Sequence, residues 1–198
     1  MASRRKASRR RVGSETSATR QALLDSVERL MLDEGYAAVT YRVVAAKAGV
    51  TPALVQYYFP TLDDLFVATI RRRGDQNLQR LEKSLRRGKK HPLRILWEYS
   101  NKEATASLTT EFMALGNHRK SIRSEITEVT DRVRKVQFDV LKRSAQDETI
   151  GLELTPEALI FLVTAIPKLL QLEQAVGIDA GHAEIVDVIE GHLASVER

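Results

Sequence analysis

Thr40-Tyr41-Arg42-Val43-Val44-Ala45-Ala46-Lys47-Ala48-Gly49-Val50-Thr51-Pro52-Ala53-Leu54-Val55-Gln56-Tyr57-Tyr58-Phe59 reads as two short helices around one sharp turn. Thr40 has the hydroxyl that an N-cap needs to accept an orphan backbone N–H. Val43, Val44 and Ala48 follow as an apolar stripe at helical spacing. Gly49 stops that helix, because glycine takes the left-handed C′ conformation without a Cβ penalty. Val50 is a turn residue that folds back on the core. Thr51 caps the next helix, and Pro52 at its first position has its φ preset and no N–H to orphan. Two short helices joined by about four residues with a glycine form the helix-turn-helix pattern, whose second helix enters the DNA major groove. A plain αα-hairpin gives the same local pattern, so the flanking sequence has to decide.

Upstream, Leu23, Leu24, Val27, Leu30 and Met31 make a helical stripe from about Ser17 to Glu34, and Gly35 stops it. Downstream, Thr61 with Asp63 and Asp64 starts a fourth helix, where acids favour the positive end of the dipole. Leu65, Phe66, Ala68 and Thr69 line its inner face. It is expected to run to about Arg87 and end at Gly88, before a His91-Pro92 connector. Residues 16–70 resemble the DNA-binding domain of the TetR family of bacterial regulators. The resemblance rests on the long first helix, Gly35-Tyr36, Thr40, Ala45, Ala48-Gly49-Val50, Thr51, Val55, Tyr58-Phe59 and Leu65. It departs at Gln56, where the family often has Tyr, and at Leu62, where it often has a phosphate-contacting Lys. Leu62 has no charge, so that contact is not carried over.

The 198 residues suffice for one compact domain or two small ones, and 43% hydrophobic content suits a globular core. With no cysteine, disulfides, thiolate metal sites and a Cys nucleophile are excluded, and a cytoplasmic location is expected. Val12–Ala22 lacks the apolar core of a secretory signal. The most apolar run, Leu159–Ile166, is too short for a membrane span, so no membrane partner is expected. The net charge of +5 is unevenly spread: residues 1–20 hold seven Lys/Arg and one acid, residues 21–70 three and six, residues 71–94 ten and two, and the remainder eleven and seventeen. A basic N-terminal third suits a protein that meets phosphate at one end. The run at 71–94 fits either that or a solvated helix face. Residues 1–16 form a basic arm with almost no large apolar residue. Arg9, Arg10 and Arg11, with Arg4, Arg5 and Lys6, suit a minor groove, or simply a solubilising tail.

From Pro92 onward helices are expected near 92–105, 107–117, 120–146, 156–175 and 183–196, and no run alternates like a strand. The class is all-α: an N-terminal three-helix helix-turn-helix domain over 17–61 and a C-terminal helical ligand-binding and dimerisation domain over 62–198. The helix after Thr155-Pro156 is apolar on most of its circumference, which requires burial on more than one side. A second copy of the chain would supply that, with Leu159, Leu162, Ile166 and Leu170 facing a stripe of Ile185, Ile189 and Leu193 across a two-fold axis; the alternative is that these residues form the core of a monomer. The family resemblance implies the same dimer through the last two helices. It also implies a small-molecule effector pocket among the middle helices. Trp97, Phe112, Met113, Phe138 and Phe161 would supply its apolar wall and Thr164 and His118 polar groups, although each also suits ordinary core, surface or capping positions.

No Gly-x-Ser-x-Gly elbow, phosphate-cradling Gly-Lys-Ser/Thr loop, His-Glu-x-x-His or Glu-x-x-His pairing occurs, so neither an enzyme nor a metal or other cofactor is expected. The expectation is a dimeric transcriptional regulator, a repressor of a near-palindromic double-stranded operator that a small molecule releases. Thr40, Tyr41, Arg42, Lys47, Thr51 and Tyr58 are candidates for phosphate, and Pro52, Ala53, Gln56 and Tyr57 for base edges. The competing readings are an architectural nucleic-acid-binding protein with no effector, and a small-molecule enzyme in the helical domain.

Overall fold

The computed structural model describes residues 17–88, 90–103, 106–144 and 154–197, and these are all-helical. Helix α1 is Ala18–Glu34, followed by a 3₁₀ turn at Tyr36–Ala38. Then come α2 (Tyr41–Ala48), α3 (Pro52–Tyr58), α4 (Leu62–Arg87), α5 (Pro92–Glu103), α6 (Ala106–His118), α7 (Lys120–Ser144), α8 (Pro156–Gln174) and α9 (His182–Val196). The candidate arm residues Arg9, Arg10 and Arg11 lie outside the described residues. Among those described, no helix is long and apolar enough to cross a membrane.

The chain divides into two compact units, residues 1–73 with 110–126, and residues 74–109 with 127–198. The first unit therefore holds more of the chain than the 17–61 segment drawn from the sequence. Its apolar interior takes the stripe of α1 (Leu23, Leu24, Val27, Leu30, Met31), then Val44, Ala45, Val55, Phe59, Leu65 and Phe66, all buried. Two buried hydroxyls are satisfied within their own helices, Ser26 donating to the Ala22 carbonyl (2.8 Å) and Thr69 to that of Leu65 (2.8 Å). Thr61 and Asp64 start α4 by a reciprocal capping arrangement: the Thr61 hydroxyl accepts the Asp64 N–H (3.0 Å) and the Asp64 carboxylate accepts the Thr61 N–H (3.0 Å).

Polar contacts distant in sequence hold residues 110–126 in this unit. Glu111 accepts the Tyr36 N–H (2.6 Å), closing the end of α1. The buried Glu125 takes two hydrogen bonds from the Arg71 guanidinium (3.0 and 2.6 Å). Asp63 accepts from the Ser121 hydroxyl (2.6 Å) and from Arg119. Arg72 donates to Asp25 (2.7 Å) and Glu28 (2.6 Å) on α1, and Arg73 also reaches Glu28 (3.2 Å).

The second unit is built on Leu81, Leu93, Leu96, Trp97, Leu141, Leu159, Ile160, Val163 and Leu193, with Phe138, Ile166 and Ile189 packed partly buried against them. Gly74 brings α4 against α7, since a Cβ there would sit 2.4 Å from the Val129 side chain.

Candidate DNA interface

The turn between α2 and α3 closes as the local sequence dictates. The Thr40 hydroxyl accepts the Val43 N–H (3.3 Å) and the Thr51 hydroxyl the Leu54 N–H (3.3 Å). Gly49 is left-handed (φ 67°, ψ 33°). Its N–H bonds the Ala46 carbonyl (3.3 Å) and the Val50 N–H that of Ala45 (3.0 Å), the paired closure of a Schellman motif. Helix α3 is seated through the fully buried Val55. Pro52, Ala53, Gln56 and Tyr57 are exposed, at spacings that put them on one helix face, and Tyr57 keeps 61% of its surface. Thr40, Arg42 and Thr51 are exposed beside them.

The other candidates are partly committed to the fold. The Tyr41 hydroxyl donates to the carbonyls of Phe59 (3.0 Å) and Pro60 (2.9 Å), and burial, with the charge of Asp64, raises its pKa. Lys47 pairs with Asp33 (3.0 Å). The half-buried Tyr58 accepts from the Ser17 hydroxyl (3.4 Å) and meets Tyr57 edge to face, with centroids 5.6 Å apart. Arg42 has no ion-pair partner among the described residues. Arg20, which sequence reasoning passed over, lies over the Phe59 ring at 5.0 Å. No periodic signal marks such a contact, because it joins residues 39 apart in sequence.

The effector candidates are shared between the two units. Phe112, Met113 and His118 belong to the first unit and Trp97, Phe138, Phe161 and Thr164 to the second. Trp97 is core, 2% exposed, and its indole N–H donates to Glu190 (2.6 Å). Burial pushes the Glu190 carboxyl up, but hydrogen bonds from Arg94 and Trp97 outweigh it and hold the pKa below the ordinary range. Thr164 spends its hydroxyl on the Ile160 carbonyl (2.7 Å). Phe112 is buried, whereas Met113, His118 and Phe161 face outward. Among the dimer candidates, Leu159 and Leu193 are core residues of the protomer itself. Ile166 and Ile189 pack partly against that core, and Leu170 and Ile185 are half-buried. The apolar side chains turned outward on these two helices are Phe161 (58% exposed), Leu162, Leu169 and Val188 (67%).

Residues 23–69, the segment that forms this turn and its supports, match the family model of bacterial regulatory proteins of the tetR family. Over 52 residues the chain is 46% identical to the HTH-type transcriptional regulator BetI of Rhizobium meliloti (strain 1021), a match covering 26% of each chain. Over 137 residues it is 28% identical to the HTH-type transcriptional repressor BepR of Brucella suis biovar 1 (strain 1330), covering 67% of this chain and 65% of that one. The matches thus span about a quarter of the first relative and just under two thirds of the second. In fold the chain is similar to a transcriptional regulator from Saccharomonospora viridis in complex with choline, with TM-score 0.68 and 18% identity over 89% of this chain and 93% of that one. Fold and turn together define an all-helical protein with a helix-turn-helix near its N-terminal end. Over residues 23–69 the chain carries the helix-turn-helix segment of the bacterial regulatory proteins of the tetR family.

Proposed function

We propose that this protein binds a near-palindromic DNA operator as a homodimer, represses transcription there, and is released by a small-molecule effector. The observation that carries this reading is the face of α3. Pro52, Ala53, Gln56 and Tyr57 stand exposed on a helix whose opposite side is anchored by Val55. A carboxamide such as that of Gln56 offers the donor–acceptor pair that reads adenine in the major groove. The capped starts of α2 and α3, with Thr40, Arg42 and Thr51 exposed, suit phosphates on either side.

Dimerisation through α8 and α9 is favoured by their outward apolar side chains, which leave an apolar face uncovered on a lone protomer. A two-fold dimer then dictates two inverted half-sites. Repression follows the relative BepR, and an effector follows the choline complex of the S. viridis regulator. For the effector to act, it must bind the state of low DNA affinity more tightly than the operator-bound one. Selection of bound fragments from genomic DNA tests the whole. A recurrent inverted repeat is expected; fragments enriched without any shared sequence would overturn the reading.

A further inference from the structure

The second unit carries a cavity of about 540 Å³ between the end of α4, the following turn and α5. None of the aromatic effector candidates lines it. Its walls are cationic: Arg80, Lys83 and Arg87 on α4 and Lys102 on α5. The fifth cation, Lys90, is bonded to Glu98 (2.5 Å), the one acid among the lining residues, so that carboxylate is already committed. Lys83, Arg87 and Lys102 have no ion-pair partner among the described residues.

That differs from the rest of the basic run. Arg71, Arg72 and Arg73 are matched by Glu125, Asp25 and Glu28, Arg86 by Glu82, and Arg94 by Glu190 and Glu197. Arg80, Lys83 and Arg87 lie at i, i+3 and i+7, on one face of α4, where like charges repel. The negative end of the α4 dipole accounts for Arg87 in the last turn, but not for Lys83 further in, nor for Lys102 on another helix. Between the cations the wall is apolar and fixed. Ile95 packs so closely on Gly88 that a Cβ there would lie 2.3 Å from its Cδ1. The Tyr99 ring is pinned by its hydroxyl, which donates to the Asn77 carbonyl (2.9 Å).

We propose that this cavity binds a small polyanion, a molecule with two or more phosphate or carboxylate groups and a flat or apolar part that rests on Ile95 and Tyr99. A volume of this size suits a compact organic ligand, and clustered guanidinium and ammonium groups around an apolar wall suit its charge. The site is independent of the operator reading, since it is assayed without DNA.

The probe is tripolyphosphate, titrated calorimetrically into the full-length protein at fixed ionic strength. Lys83→Glu and Arg87→Glu should each weaken binding about tenfold or more, while Arg86→Glu, on the same helix but outside the cavity lining, should change it less than about twofold. Lys83→Gln and Arg87→Gln serve if the reversals fail to fold, with thermal melts checking each variant. Because the basic arm also attracts polyanions, replacing Arg9, Arg10 and Arg11 by Ala must leave the Lys83- and Arg87-dependent binding in place. Equal loss in Arg86→Glu would reduce the effect to the general field of the helix and overturn the proposal. So would variants that keep tripolyphosphate binding but lose affinity for a random-sequence duplex, since the occupant would then be nucleic acid.

Discussion

At the residue scale the candidate DNA face separates side chains that are free from side chains already in use. Gln56 and Tyr57 make no internal hydrogen bond among the described residues, whereas Tyr41 and Lys47 must give up the Phe59 carbonyl and Asp33 before reaching a phosphate. Gln56→Ala and Tyr57→Ala should each weaken specific binding by about 1–3 kcal/mol and relax discrimination between operator and random DNA. Competition binding with both DNAs checks this, and unchanged discrimination would remove the two residues from sequence reading. Asp63 makes a second prediction. Hydrogen bonds from Ser121 and Arg119 hold its carboxyl below the usual carboxylate range. A lowered folded-state pKa contributes stability that is complete above the unfolded pKa, near 3.9, and is lost as pH falls through the folded value. Asp63→Asn should therefore cost roughly 0.5–1 kcal/mol at neutral pH, kept small because the pair is part-exposed. Denaturant midpoints measured against pH should show the two proteins converging as the solution becomes strongly acid.

At the element scale, what could be read ahead was what is local. The caps at Thr40, Thr51 and Thr155 and the stop at Gly49 act within a few residues, and each helix they bound lies where spacing predicted it. Gly49 tests this directly. A Cβ there meets nothing within 4 Å, so its left-handed φ of 67° is the whole constraint. Gly49→Ala should cost about 1–2 kcal/mol, and Gly49→Asn less, because asparagine visits that region more readily. Thermal melts of both variants check the order. What could not be read is what joins distant segments. Glu111 reaches the Tyr36 N–H and Glu125 reaches Arg71, and neither pairing leaves a periodic trace in the chain. The same limit applied to α8. Its apolar circumference gave an expectation of burial on more than one side, but not which side meets the protomer core: Leu159 does, while Phe161 and Leu162 face out.

At the scale of the whole molecule the two outstanding quantities are an uncovered apolar face and an uneven charge. Phe161→Glu places a charge on a side chain that the lone protomer leaves 58% exposed, so folding should survive while a dimer through α8 and α9 dissociates. Sedimentation that still finds an intact dimer would move the interface elsewhere. Residues 21–70 contain α3, the proposed recognition helix, yet hold three Lys/Arg against six acids. Those acids are largely spent: Asp25 and Glu28 on Arg72 and Arg73, Asp33 on Lys47, and Asp63 on Arg119. Repulsion of DNA is thereby reduced, but the paired cations are equally unavailable to neutralise phosphate. The start of the basic run, Arg71 to Arg73, is consumed inside the first unit in this way. The remaining charge close in sequence to α1 is that of residues 1–11, with six Lys/Arg and no acid. Each phosphate neutralised adds about 0.9 to the slope of log affinity against log salt. Holding long side chains against phosphates costs conformational entropy, so two or three contacts are expected rather than six. Deleting residues 1–11 should leave folding and dimerisation intact, lower operator affinity about tenfold or more at moderate salt, and flatten the slope by roughly 2 per protomer. Operator titrations across a salt series measure both, and an unchanged slope would make the arm a solubilising tail.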